Sequence, residues 1–379
     1  MLRTDPHDHA VYRIRLDELR NLVEALNIEV ITEIIQTRIK PTAKYCIGKG
    51  KVKELLRCVK EEQIDVVVFY NILRSSQKLN LIRTLNCDVL DRYELTLEIF
   101  EKMASDSISK LQIEAARLNK LAPYFKLEAK IRFHNEHAFL RSTGEYAFHN
   151  QIRELTKRQA RIHSQIEELM KKKRRHIQKQ RERENPTVCI AGFYNAGKTT
   201  LFNALTGDSK PVNSEPFTTL SNKYQRRYVD STLSLIFIDT IGFVLDLDPR
   251  LIQSFRLNLE DVRNADLVLL LLEVTDDLLT LTMKLSEGLK LLKNIGVPKK
   301  RVLVVFNKID VDPSVGSEVV KKLAILRTVE WVTISAKERI NLNGLLERIQ
   351  EKLYLLTAYQ KREHSIRLKR INSEGAFRK

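Results

Sequence analysis

The chain has 379 residues, with 65 Lys plus Arg against 48 Asp plus Glu, a formal net charge of +17. That length points to two or three domains, and that charge to a nucleic acid or another anionic surface as partner. No apolar run approaches the ~20 residues needed to cross a bilayer, the polar Asp5-Pro6-His7-Asp8 is no signal peptide, and Cys46, Cys58, Cys87 and Cys189 lack metal spacing. A cytoplasmic protein with reduced core cysteines and no stable membrane insertion is expected.

Residues 1–92 read as a small α/β unit. Leu16, Leu19, Leu22 and Leu26 have helical spacing, and a strand is expected over Glu29–Thr37. Tyr45 to Lys51 reads as a strand running into a Gly48-Lys49-Gly50-Lys51 turn, then a helix from Val52 to Glu62. That turn is either an ordinary basic turn or a phosphate site at a helix N-terminus. Ile64–Tyr70 is a β-branched buried strand, and Gln77–Leu85 a further helix.

Residues 93–185 carry two helical patterns. Ala104, Ile108, Leu111, Ala115, Leu118 and Ala122 alternate steps of four and three until Pro123, where the run is expected to end. Ile152, Leu155, Ile162, Ile166 and Leu169 repeat the pattern, with polar Gln159 in the seam. Two seams joined by a loop predict an antiparallel helical hairpin. Its second arm carries twelve Lys or Arg against five Glu between Ile152 and Glu184, including Lys171, Lys172, Lys173, Arg174 and Arg175. This is either a solvated face or a surface for a phosphate backbone, which gives affinity and salt dependence rather than sequence choice. The expected tip, Phe133–Asn150, mixes aromatics with Arg141 and Gly144. That mixture suits unpaired bases of folded RNA and suits loop packing about equally.

The remaining chemistry lies in residues 186–357. Gly192-Phe193-Tyr194-Asn195-Ala196-Gly197-Lys198-Thr199 fits G-x-x-x-x-G-K-[ST], between the apolar strand Val188–Ala191 and a helix opened by Thr200 and Leu201. The glycines let main-chain N–H groups face phosphates, Lys198 reaches the outer phosphates, and Thr199 offers a hydroxyl to magnesium. Asn195 is a candidate ligand for a monovalent cation such as potassium, or else a turn-capping residue. In Phe217-Thr218-Thr219-Leu220, Thr219 is expected to close over magnesium, with Thr218 as the alternative. Asp239-Thr240-Ile241-Gly242-Phe243 follows a strand. Asp239 suits a magnesium-bound water, and the Gly242 N–H the terminal phosphate. Phe243 stands where Ras keeps the glutamine that orients the attacking water, so hydrolysis needs another group, a cation or a partner. Lys198, Thr219 and Gly242 form the expected catalytic set.

Asn307-Lys308-Ile309-Asp310 follows the apolar run Val302–Phe306, at the strand end where open α/β sheets bind ligands. Asp310 can accept from the ring N–H and exocyclic amine of guanine, a donor pair adenine lacks. The Lys308 stem can lie over the purine, and Ser335-Ala336-Lys337 can back it through main-chain N–H groups. Together these motifs predict GTP and GDP as ligands. Residues 358–379 form a basic tail, with seven Lys or Arg against two Glu from Lys361 onward.

Several longer strings resemble the HflX GTPases over about Thr42–Leu355. They are Tyr45-Cys46-Ile47-Gly48-Lys49-Gly50-Lys51-Val52, Lys110-Leu111-Gln112-Ile113-Glu114-Ala115-Ala116, and Asn195 through Gly207. Asp239 through Phe243, continued by Ser254-Phe255 and Leu259-Glu260, looks like the family's second switch. The resemblance implies an N-terminal α/β subdomain, a helical hairpin and a C-terminal Ras-like P-loop GTPase domain whose mostly parallel sheet carries helices on both faces. It also implies binding to the large ribosomal subunit and its RNA, GTP hydrolysis stimulated by the ribosome, and a role in ribosome rescue, splitting or translation control. The chain departs from the family where Arg141-Ser142-Thr143-Gly144-Glu145 replaces Arg-Gly-Pro-Gly-Glu, and at Ser221-Asn222-Lys223. A monomer is expected. The alternative is an RNA-binding regulator that uses the GTPase domain as a nucleotide-sensing clamp with little turnover.

Overall fold

A computed structural model describes residues 1–4, 10–104, 107–136, 143–181, 185–207, 223–229, 233–240, 242–311, 323 and 328–356. The described chain divides into two units. The first holds Met1–Arg175 together with Leu245–Leu257, and the second holds most of the remainder.

In the first unit, β1 (Leu2–Arg3) pairs in parallel with β2 (Gln36–Thr37), separated in sequence by α1 (Val11–Glu24). Then come α2 (Lys49–Glu61), β3 (Val66–Phe69), α3 (Ser75–Leu85), β4 (Asp88–Asp91) and α4 (Arg92–Met103), with β3 parallel to β4. The core gathers Leu2, Ile47, Val52, Leu55, Phe69, Leu81, Leu85 and Val89. Helix α2 buries Val52, Leu55 and Val59, one face at helical spacing. Strand β4 passes straight into α4 because Asp91 caps it. Asp91 accepts from the Glu94 N–H at 3.0 Å, and Glu94 accepts from the Asp91 N–H at 3.2 Å.

Three local expectations change here. Residues 45–47 form no strand but a turn closed by the Thr42–Cys46 bridge, with Cys46 at a left-handed φ of +68°. The strand expected over 29–37 pairs only at Gln36–Thr37, because β1 offers it two residues. Ile28, Val30 and Ile34 instead line a cavity of about 530 Å³ with Leu19, Val23, Leu55 and Val66–Val68. In the glycine turn, α2 already begins at Lys49, so Gly48 is its N-cap, and the Gly48 N–H is taken by Gln36 Oε1 at 2.8 Å.

The hairpin arms are α5 (Ser107–Glu136) and α6 (Thr143–Arg181). Helix α5 runs through Pro123, which removes one intrahelical hydrogen bond without stopping the turns on either side. Among the described residues, α5 buries Ser109, Gln112, Ile113, Ala116 and Ala122. Of the expected stripe, Ala104 (just before α5) and Ala122 are buried, while Ile108, Leu111, Ala115 and Leu118 are half-buried, one residue round from the buried face between them. The shift follows from what α5 packs on: α3 and α4 as well as α6. Between the arms, Arg158 Nε donates to Glu114 at 2.6 Å, and the seam residue Gln159 donates to the Leu118 carbonyl at 3.3 Å.

The second unit contains β5 (Thr187–Gly192), α7 (Lys198–Thr206), β6 (Lys223–Tyr228) and β7 (Ser234–Asp239). After α8 (Pro249–Ser254), which belongs to the first unit, follow α9 (Arg256–Asn264), β8 (Leu267–Glu273), α10 (Leu278–Ile295), β9 (Val302–Asn307), β10 (Trp331–Thr333) and α11 (342–356). One six-stranded sheet has the order β10-β9-β8-β5-β7-β6, and only β6 runs antiparallel to its neighbour. Every residue of β9 and all but the last of β8 are buried, as expected for a parallel sheet covered on both faces. Crossovers place the carboxyl ends of β5, β7, β8 and β9 along one edge, where the motifs lie. Among the described residues no helix is long and apolar enough to cross a membrane.

Candidate nucleotide site

The loop after β5 is built around two glycines. Gly192 has φ +150°, and a Cβ there would come within 2.3 Å of the Leu271 carbonyl on the neighbouring β8. Gly197 has φ +88°, and a Cβ there would sit 2.4 Å from Asn307 Nδ2. An L side chain is strained at both angles, and the space is already filled.

Asn307 is occupied by scaffold. Its amide donates to the Ala196 carbonyl at 2.9 Å, and its Oδ1 accepts the Ala336 N–H at 2.9 Å. One buried side chain thus ties the loop after β5 to the Ser335-Ala336-Lys337 loop. Ser335 also turns back on its own chain, its Oγ accepting the Glu338 N–H at 3.0 Å, while Lys337 is exposed.

At the start of α7, Lys198 is buried and donates to the Phe193 carbonyl at 2.7 Å. Burial pulls its pKa down from 10.5 to about 8, against the opposing pull of the Asp239 carboxylate. The Thr199 hydroxyl donates to Asp239 Oδ2 at 2.9 Å, and Asp239 is fully buried at the end of β7. Thr200 is half-buried beside them. A hydroxyl and a carboxylate form the hard oxygen pair that suits magnesium, which takes its other ligands from phosphate and water. The Thr240 hydroxyl is pinned to the Ile190 carbonyl at 2.8 Å.

Phe243 is a packing residue. It is buried, its ring meets Phe193 edge-on at 6.1 Å, its N–H reaches the Gly192 carbonyl at 2.8 Å, and its carbonyl accepts the Tyr194 N–H at 3.1 Å. A ring so placed has no polar atom with which to orient water. Gly242, next to it, is buried. Asn195 takes a left-handed φ of +59° in the turn.

After β9, Lys308 has φ +71° and its ammonium lies 2.5 Å from Glu273 Oε2. Glu273 was not marked by motif reading. Its only signal is a charge closing the apolar run Leu267–Leu272, in register with Asn307. Asp310 Oδ1 is buried and has no hydrogen-bond partner among the described residues. An unmet carboxylate oxygen at a strand end can take an N–H from a ligand.

Phe217, Thr218, Thr219, Ile241 and Arg141 lie outside the described residues, as does the tail 358–379. Gly144 lies in the first turn of α6. Lys171, Lys172, Arg174 and Arg175 are exposed on α6, whereas Lys173 is half-buried and donates to the Leu257 carbonyl at 2.7 Å. The basic run is therefore four exposed cations and one structural one.

The sheet order, the phosphate-type loop, the Thr199–Asp239 pair and the base-side loops define a P-loop GTPase. Residues 187–308 match the model of the "50S ribosome-binding GTPase" family, and residues 13–101 match that of the "GTP-binding GTPase N-terminal" domain. The chain is 38% identical to the GTPase HflX of Thermofilum pendens over 89% of its length and 80% of the relative's. It is 33% identical to the GTPase HflX of Methanocaldococcus jannaschii over 90% of its length and 84% of the relative's. A solved GTP-binding protein from Sulfolobus solfataricus in complex with GDP is 25% identical, covering 94% of this chain and 98% of that one, with a TM-score of 0.45. The chain belongs to the HflX GTPase family, whose activity is the hydrolysis of GTP.

Proposed function

We propose that this GTPase associates with the large ribosomal subunit through its N-terminal α/β region and helical hairpin, in ribosome rescue, splitting or control of translation. At the nucleotide site, Gly192 to Thr200 cradle the phosphates, and Lys198 neutralises them. Asp310 accepts from guanine, with Lys308 along the purine and Ser335 to Lys337 behind it. Thr199, with Asp239 through water, holds magnesium, which supplies charge stabilisation to the phosphates. Thr219 and Gly242 order around the terminal phosphate. The observation that carries the guanine assignment is the buried Asp310 Oδ1, which has no hydrogen-bond partner among the described residues.

The ribosomal reading is supported by the exposed cations Lys171, Lys172, Arg174 and Arg175 and by the family description matched over residues 187–308. A basic helix face meets RNA phosphate with strong salt dependence. With Phe243 in place of a water-orienting side chain, docking supplies what hydrolysis lacks. Sedimentation with ribosomes tests this. Co-migration with the large subunit in a non-hydrolysable GTP analogue, lost in GDP and at high salt, is expected. No co-migration with the large subunit in either nucleotide would remove the ribosomal reading and leave GTP hydrolysis untouched.

A further inference from the structure

The main chain around Lys308 is fixed on three sides. The Asn307 carbonyl before it accepts the Val274 N–H at 3.0 Å, and the Ile309 N–H after it donates to the Ile334 carbonyl at 3.3 Å. The Lys308 carbonyl accepts the Val311 N–H at 3.2 Å. A left-handed φ of +71° is uncommon for a residue with a Cβ, so these neighbours impose it rather than the lysine's own preference. They set where the Lys308 side chain starts and which way it leaves the backbone. The long stem beyond Cβ keeps its freedom of rotation unless its far end is held too.

Glu273 holds that end. It closes β8 in register with Asn307 on β9, which brings its carboxylate beside the next residue, Lys308. Glu273 Oε2 lies 2.5 Å from Lys308 Nζ, and Glu273 Oε1 accepts the Thr275 hydroxyl at 2.8 Å. Each carboxylate oxygen has a partner, so the group loses one of them if it turns. The nearby carboxylate of Asp276 is taken by Lys284 at 2.6 Å, so the two ion pairs do not compete. The Lys308 and Glu273 side chains are 27% and 18% exposed. An ion pair that reaches solvent adds little to stability, so its effect lies in where it puts the lysine.

We infer that Glu273 is a positioning residue for nucleotide binding, holding the Lys308 ammonium so that the lysine stem already lies where the purine will meet it. An unheld stem would lose its rotamer freedom as the base docks. The pair removes that freedom beforehand, so less is lost on binding and affinity rises. The effect is confined to the base, because the phosphates belong to the loop after β5. This rests on the reading above that Lys308 lies along the purine.

Competition against fluorescent GDP tests it in the full chain, with Glu273→Gln, Thr275→Val, Lys308→Ala and the Glu273→Gln/Lys308→Ala pair. Glu273→Gln keeps the shape and removes the charge, and should weaken GTP and inosine triphosphate alike, each about fivefold. The factor is shared because a stem along the ring meets any purine, whereas only guanine carries the exocyclic amine. Binding of inorganic triphosphate should hold within about twofold, which a general disturbance of the site would not allow. Thr275→Val frees one carboxylate oxygen and should cost about twofold in GTP affinity, and it decides the matter if Glu273→Gln fails to fold. Lys308→Ala should itself weaken GTP, and adding Glu273→Gln to it should cost nothing further. Full GTP affinity in Glu273→Gln and Thr275→Val, beside a loss in Lys308→Ala, would overturn the positioning role. An equal loss of triphosphate, or a Glu273→Gln loss that persists without Lys308, would overturn it too. Full GTP affinity in Lys308→Ala would instead remove the premise about Lys308, and the inference with it.

Discussion

Replacing Asp310 by Asn tests the guanine assignment at a single oxygen. In the free protein Asp310 Oδ1 is buried and makes no hydrogen bond among the described residues, so the substitution breaks no internal contact at that atom. With guanine bound, the carboxylate would accept from the ring N–H and from the exocyclic amine. Two hydrogen bonds to a charged group are each worth ~1.5–3 kcal/mol. Asn keeps one acceptor and turns an –NH₂ toward the guanine amine, losing one bond and adding a donor–donor clash. The expected loss is ~3–6 kcal/mol, or roughly 10²–10⁴-fold in GTP affinity. Xanthine carries a carbonyl where guanine carries that amine, so Asp310→Asn should bind xanthosine triphosphate more tightly than the unmodified protein does. Competition of both nucleotides against fluorescent GDP measures the two changes, and a thermal melt confirms that folding is intact. If Asp310→Asn preferred GTP over xanthosine triphosphate by the same factor as the unmodified protein, the base would be read elsewhere.

Three further outcomes are expected. The free-state Lys198 pKa of about 8 should rise on binding phosphates, so nucleotide binding above pH 8 takes up a proton and weakens by up to about tenfold per pH unit, and is flat below. Because this pKa is depressed from 10.5, the unfolded chain binds more protons between pH 8 and 10.5, and this group makes the free protein more stable as pH rises through that window. Calorimetry at pH 9 in buffers of different ionisation enthalpy reads the uptake, and none in the unmodified protein would mean that Lys198 is already charged. Asn307→Ala strips partners from the Ala196 carbonyl and the Ala336 N–H, at about 1–3 kcal/mol each. Urea denaturation without nucleotide measures it, and a loss under about 0.5 kcal/mol would deny Asn307 its tying role. If Asn195 ligates a monovalent cation, hydrolysis should run several-fold faster in potassium than in sodium chloride, and Asn195→Ala should erase the difference. Equal rates in both salts would leave Asn195 a turn residue.

Phe243 marks the limit of motif reading. Its place in the pattern said what it could not do, but not that its ring would pack on Phe193 with its main chain tied to Gly192 and Tyr194. Lys308 is similar: its sequence placed it near a purine, and only the register of β8 with β9 brought Glu273 to its ammonium. The middle of the α5 stripe, Ile108 to Leu118, was displaced by one residue, while Ala104 and Ala122 at its ends are buried as expected. Periodicity reports which residues are apolar, whereas burial depends on how many neighbours surround the helix. The strand expected at 29–37 shortened for a related reason. Alternation licenses a strand, but pairing needs a neighbour of matching length, and β1 supplies two residues.

The sequence by itself determined the chemistry of the nucleotide site. The loop glycines, Lys198, Thr199, Asp239 and Asp310 each lie in a short string whose spacing is set by local backbone geometry. Those strings sit at strand ends, so local order was enough to place them. Tertiary structure alone decided what ties the loops of the site to one another. Asn307 bridges the loop after β5 and the Ser335-Ala336-Lys337 loop. These contacts join residues 111 and 29 positions apart, and no local pattern encodes a pairing of that range.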